Sequence, residues 1–317
     1  TLAASVLNTL DGNTTGVVNA STITTLTGSL SDITAAYTAN SAGTISGLAD
    51  EAVTLTDTTV AASDLNTLDG NTSGVVNASS VTTLTGSYTD VKAAYDAGTA
   101  GTISGLGDEA VTLSDTTLAV ANLNTLNGET SGVVNASSVT TLTGAYSALS
   151  TAYTANTAGT ISGLGDEAIT LSDTTLAAAD LNTLNGLTTG VVNADTVTTL
   201  TGTAAAANTA YDANTAGTIS GLGNEAITLT DTTLAASVLN TLDGNTTGVV
   251  NAGTVTTLTG LGEDINNAYA ANTAGTISGL ANEAITITDL TIDGSVLNAV
   301  DANTSGVVNA SAVTTLS

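Results

Sequence analysis

The sequence contains no cysteine, histidine, methionine, proline, phenylalanine or tryptophan, and its only aromatic residues are seven tyrosines. Without cysteine there is no disulfide framework, so stability has to come from packing and hydrogen bonding. Without histidine or cysteine, and with a single lysine, the usual nucleophile and base partnerships are missing, and the chain is not expected to be an enzyme. Carboxylate pairs of the glycosidase kind are available by residue type. A catalytic centre, however, is normally a unique place, and this chain repeats nearly everything. With so few large rings the core must be built from Leu, Ile, Val and Ala, which suits thin layers. Basic residues are almost absent too: Lys92 alone faces 28 acidic residues, for a formal net charge of −27. That balance repels phosphate backbones, so nucleic acid is excluded as a partner. No apolar run approaches the about 20 residues that a membrane-spanning helix needs, so no membrane insertion is expected.

What the sequence does have is a period. Thr-Leu-Thr, or a close variant, recurs at a fixed interval of about 29 residues from Thr25-Leu26-Thr27 to Thr315-Leu316-Ser317. The Leu-Asn column at Leu7, Leu65, Leu123, Leu181, Leu239 and Leu297 shows that the complete repeat is twice as long, about 58 residues, and is made of two related halves. A fixed period of this size implies a solenoid, in which each coil buries its apolar face only against the coils beside it. Length alone would suggest two domains for 317 residues; the repeat points instead to one continuous array over residues 1–317. Its full repeats are 17–74, 75–132, 133–190, 191–248 and 249–306, with partial repeats 1–16 and 307–317. The chain opens and closes inside a repeat, as a section of a longer protein would.

One half opens Gly-Val-Val-Asn-Ala, as at Gly74, and the other Gly-Thr-Ile-Ser-Gly, as at Gly101; both read as strand starts. The segment after Thr-Leu-Thr has helical character. Ser87-Tyr88-Thr89-Asp90 is a capping-box-like start, followed by Val91 and Tyr95 on one face. In the other half Asp231-Thr232-Thr233 precedes Leu234, Val238 and Leu242, again four apart, with Asp or Thr able to cap the exposed amides. Glycine after each helix can take the left-handed conformation that ends it. Thr-Leu-Thr itself is ambiguous, because Val111 and Leu113 have strand spacing whereas Val81 and Leu84 are three apart, so the element reads as strand in alternate coils and helical turn in the others. The fold class expected is an α/β solenoid of strand-plus-short-helix coils, two coils of about 29 residues per repeat. An all-β parallel β-helix is the alternative.

Gly221 to Thr232 (Gly-Leu-Gly-Asn-Glu-Ala-Ile-Thr-Leu-Thr-Asp-Thr) and Leu239 to Gly248 (Leu-Asn-Thr-Leu-Asp-Gly-Asn-Thr-Thr-Gly) resemble repeats of very large secreted or surface proteins of bacteria, of hemolysin-type or adhesin-like kind. Leu-Asn-x-Leu-Asp-Gly also resembles a phrase of phage tail-fibre proteins. These resemblances imply extracellular structural work. The Gly-Gly-x-Gly-x-Asp calcium nonapeptide of the hemolysin type is absent, so calcium rolls of that type are not implied.

Three recurring columns are candidates for chemistry. Glu51, Glu109, Glu167, Glu225 and Glu283 form one acidic column, and Asp57, Asp115, Asp173, Asp231 and Asp289 another. Calcium, a hard cation that takes carboxylate oxygens, is the cofactor they would bind. The plainer reading is that each Asp caps the following helix while each Glu is solvated in its loop. Tyr37, Tyr95, Tyr153, Tyr211 and Tyr269 read either as a surface adhesion strip or as rings closing the end of the core with hydroxyls in water. Thr54, Thr56, Thr112, Ser114, Thr170, Ser172, Thr228, Thr230, Thr286 and Thr288 would form a Thr-x-Thr binding face if they point outward from a flat parallel sheet, the arrangement of many ice-binding solenoids. Threonine is also simply a good strand former.

The function expected is that of an extracellular or cell-surface structural repeat protein, a stiff spacer or a self-assembling filament, sheath or surface-layer component. Its partners would be further copies of itself, end to end or laterally, and cell-surface polysaccharide. The alternative is an ice-binding or polysaccharide-binding adhesin using the Thr-x-Thr face.

Overall fold

Thr-Leu-Thr is a strand in both halves of the repeat, as at Thr83–Gly86 and Ala110–Leu113, so no coil uses it as a helical turn. The structure, a computed structural model, describes residues 1–317 and divides into two units: residues 1–142 with 151–164, and residues 143–150 with 165–317. Each unit is an α/β solenoid of stacked coils, with parallel strands throughout and a helix closing every coil. In the first unit the two kinds of coil run as follows. Val76–Asn77, Thr83–Gly86 and the helix Tyr88–Ala100 make the first; Ile103–Ser104, Ala110–Leu113, Thr117–Ala119 and the helix Val120–Glu129 make the second.

The long helix begins as its sequence dictates. Ser87 accepts a hydrogen bond from Asp90 N and donates one to Asp90 Oδ2, and Val91, Ala94 and Tyr95 give it a buried face. It ends at Gly101, in the left-handed region at φ 83°, where the chain turns back into a strand. The short helix departs from expectation. Leu234 lies in the strand Thr233–Ala235, the helix is Ala236–Asn245, and its N-cap Ala235 supplies no side-chain bond. Its buried face is Ala236, Leu239 and Leu242, three apart, leaving Val238 half-exposed. Its end needs no left-handed glycine, since the C-cap Thr246 is extended.

Register is the main surprise. Homologous phrases recur with the sequence period, but hydrogen-bonded neighbours are closer together along the chain. Thr59 pairs with Thr83, Thr83 with Ala110, Val111 with Val134 and Val134 with Ile161. These steps are unequal, and every one is shorter than the period. Two of them carry Thr59 to Ala110, whereas the homologue of Thr59 one complete repeat on is Thr117. Each strand therefore sits beside a different kind of strand rather than its own homologue. The sheets end for the same reason. A further step backward from Thr59–Ala61, as long as that between Thr83 and Ala110, lands in the helix Leu30–Ala42. A further step forward from Ile103–Ser104, as long as that between Val111 and Val134, lands in the helix Val120–Glu129. A helix has no free backbone edge to pair with, so each complete sheet stops at five strands.

Pleating sends one file of each sheet inward. Val60, Leu84, Val111, Val134 and Ile161 are paired in sequence and all nearly inaccessible; Leu176, Leu200, Ile227, Val250 and Ile277 do the same in the second unit. Aliphatic and mostly β-branched side chains suit these files, and the short helices likewise bury only Ala, Val and Leu.

Candidate functional site

The tyrosine and glutamate columns, which the sequence offers as two separate features, form one buried unit. The long helix places Tyr95 so that its hydroxyl donates to Glu109 Oε1. The loop before Ala110–Leu113 turns the amides of Gly107 and Asp108 onto Glu109 Oε2, at 2.8 and 3.2 Å. From the coil that follows, Thr130 Oγ1 donates to the Glu109 carbonyl at 2.7 Å and accepts from Gly132 N at 2.9 Å. Three segments thus meet at one glutamate, two of them at its carboxylate and the third at its carbonyl, and the residue is only 1% exposed. The second unit repeats it. Tyr211 donates to Glu225 Oε2 at 2.7 Å, Gly223 and Asn224 amides hold the same carboxylate, and Thr246 reaches the Glu225 carbonyl at 2.7 Å. Tyr37 with Glu51 and Tyr269 with Glu283 follow the pattern. Glu167 is likewise inaccessible, its Oε2 held by the amides of Gly165 and Asp166.

These contacts correct two expectations. The glutamates are not solvated in their loops, and the four tyrosine hydroxyls bonded to them reach a carboxylate rather than water. The physical reason is mutual: a buried carboxylate needs donors, and a phenol plus loop amides supply them without a cation. Thr72, Thr130, Thr188, Thr246 and Thr304 are the parts of this unit that sequence reasoning missed; the signal was their constant offset of 21 residues from the glutamate.

Burial and the neighbouring glutamate push the phenols of Tyr37, Tyr95, Tyr211 and Tyr269 well above their ordinary value of 10.0, with desolvation the larger cause. A group whose neutral form folding favours keeps its full stabilisation below its unfolded pKa. It loses that stabilisation as pH rises from there toward the folded pKa. The melting temperature should therefore hold steady up to about pH 10 and fall above it. Most of the tyrosinate absorbance should appear together with unfolding; early, complete ionisation in the folded chain would contradict the buried pairing.

The aspartate column does something different. Asp115 Oδ2 accepts from Tyr88 N, Asp173 from Tyr146 N and Asp231 from Ala204 N, at 2.7, 2.7 and 2.8 Å. Asp57 and Asp289 do the same for Leu30 N and Gly262 N. Each Asp thus caps the long helix of the preceding coil, 27 residues back, and not the short helix that follows it. The short helix starts directly from a strand residue, and the aspartate lies instead beside the neighbour's unsatisfied first-turn amide. Glu51 and Asp57, and their homologues, are held by separate partners, and no group of three or more acidic side chains that could hold a metal ion is formed. Asp115→Ala should lower stability by about 1 kcal/mol, and Asp115→Asn by less because it retains an acceptor. Thermal melting reads both.

The threonine face is less regular than its sequence. Thr54, Thr112 and Thr286 are half-buried and Thr170 and Thr228 exposed, while Thr56, Ser114, Ser172, Thr230 and Thr288 each follow the last residue of their strand. Because of the shifted register, the outward file reads Ala61, Thr85, Thr112, Asn135 and Ser162 in one sheet and Ala177, Thr201, Thr228, Asn251 and Ser278 in another. Threonine-on-threonine pairing occurs once in each of these files. The single lysine forms an ion pair with Asp96 and lies 3.7 Å from Glu129. No helix is long and apolar enough to cross a membrane. No protein-family model, curated protein or solved structure matches this chain.

Proposed function

We propose that the chain is a structural repeat segment of an extracellular or cell-surface protein, working as a stiff spacer or as the wall of an assembly of its own copies. One observation carries this reading: the recurring polar columns are consumed in holding coils to one another. Glutamate, tyrosine and threonine close one junction, aspartate caps a helix in the neighbouring coil, and Asp69 accepts from Thr102 Oγ1, 33 residues on. A chemistry-bearing column would leave at least one such group free toward solvent. The strong negative charge keeps molecules soluble and apart, as suits a spacer in saline surroundings. The resemblance to large bacterial surface proteins agrees with this role.

Ice or polysaccharide binding has weaker support, since the outward files change residue from strand to strand. Analytical ultracentrifugation of chains carrying four, five and six repeats, with electron microscopy of each, tests the proposal. A spacer gives separate particles whose frictional ratio rises with each added repeat; an assembling wall gives ordered polymers. Saturable inhibition of ice growth, or saturable polysaccharide binding abolished by changes to the outward threonines, would sink both.

A further inference from the structure

In four of the five long helices an asparagine near the C-terminus clamps the loop that follows. Asn40 Nδ2 donates to the Leu48 carbonyl and Asn40 Oδ1 accepts from Leu48 N; Asn156, Asn214 and Asn272 hold Leu164, Leu222 and Leu280 in the same way. At the fifth position the residue is Gly98. The loop keeps its course, and Leu106, the residue that the asparagine would hold, has neither its N–H nor its C=O engaged by the protein. Space opens where the side chain would be: a Cβ on Gly98 would meet nothing within 4 Å, and a pocket of about 240 Å3 lies there, lined among others by Tyr95, Gly98, Ile103, Leu106, Gly107 and Glu129.

The same pocket gathers substitutions that the other repeats lack. Glu129 stands where other repeats have Asn71, Leu187 or Asn245, and it lies at the rim beside Lys92, the only basic residue. Two homologous pairs in the second unit are neutral, Asn245 bonded to Asn208 and Asn303 to Asn266.

We propose that this pocket is a binding site for a small primary carboxamide. The missing group defines the ligand: an amide NH2 to donate to the Leu106 carbonyl and an amide oxygen to accept from Leu106 N, side by side as in asparagine. Tyr95, Ile103 and the half-exposed Leu106 line the space that a short apolar body would occupy. A carboxylate of the same shape is disfavoured, because it has no N–H to donate and would set a negative oxygen against the Leu106 carbonyl.

Acetamide and propionamide titrated into the 15N-labelled chain test this, with acetate and N,N-dimethylacetamide as controls. The first two should shift the Leu106 and Gly107 amide resonances saturably, while dimethylacetamide, which cannot donate, and acetate, which carries the wrong charge, should not. Gly98→Asn, which restores the clamp, should abolish the response and raise the melting temperature. Gly98→Leu, which fills the same space without an amide, should abolish the response as well, and it serves as the second variant should Gly98→Asn fail to fold. Equal responses to acetamide and dimethylacetamide, no saturable shift at Leu106, or an undiminished response in folded Gly98→Asn would each overturn the assignment.

Discussion

Alanine at Gly132 should destabilise the chain by about 3 kcal/mol, whereas alanine at Gly16, the homologous glycine two complete repeats earlier, should change stability little. The two glycines occupy the same place in the Gly-Val-Val-Asn phrase and differ only in surroundings. At Gly132 an added Cβ would fall on the carbonyl group of Glu109, and the Ala110 amide lies close behind. These backbone atoms lead directly into a strand already paired on both sides, so they have little room to move. At Gly16 the nearest atom is Thr14 Oγ1, an ordinary contact at 3.5 Å. Gly74, Gly190, Gly248 and Gly306 share the crowded environment, each against the carbonyl of the glutamate in the preceding coil. The constraint is one of close approach, not of backbone torsion, because none of these five has a positive φ. Urea melts of Gly132→Ala and Gly16→Ala side by side check this; equal losses would mean that the coils can separate to admit a methyl group. Because solenoid coils are stabilised by their neighbours, hydrogen exchange after Gly132→Ala should quicken first around Glu109 and Thr130.

Most of the architecture was legible because it rests on local chemistry. The Ser87–Asp90 start, the Val91–Tyr95 face and the stop at Gly101 are all within one helix, and each reads directly from residue type and spacing. What failed was whatever depended on the neighbouring coil. The constant period suggested that Thr-Leu-Thr stacks on Thr-Leu-Thr, but a sequence period states only which positions are equivalent. The hydrogen-bonded register is set by how much chain one turn of the coil consumes. Unequal steps, from Thr59 to Thr83, from Thr83 to Ala110 and from Val111 to Val134, shift the threonine files out of alignment. Asp231 illustrates the same gap. Its place before Thr232 and Thr233 made a cap for the following helix the natural inference, while its actual partner, Ala204 N, is 27 residues earlier. The Tyr–Glu unit was hidden as well, since its members are 14 residues apart and belong to a helix and a loop. Burying an acid in so acidic a chain runs against composition, and only the convergence of donors makes it possible.

Removing that acid should have the other large effect. Glu225→Ala takes the acceptor from the Tyr211 hydroxyl and from the amides of Gly223 and Asn224, in a place with no access to solvent for the carboxylate. A buried donor left without a partner costs about 1–3 kcal/mol, so even with partial relaxation the loss should be about 3 kcal/mol. Tyr211→Phe removes a single donor and should cost less, about 1–2 kcal/mol, because the loop amides still hold the carboxylate. The order of the two distinguishes an organising carboxylate from a ring that merely fills space. Were the tyrosine packed only for its apolar area, Tyr211→Phe would be neutral and Glu225→Ala would lose no more than a surface substitution does. Combining the changes separates the terms further. With both groups gone, no phenol is left seeking an acceptor, so the double variant should lose less than the sum of the single losses, a coupling of about 1 kcal/mol or more. Full additivity would show that the hydroxyl and the carboxylate act independently. Coupling would establish the pair as the fastening between the long helix and the loop that carries the next strand, and would explain why the two residues recur together at a fixed separation.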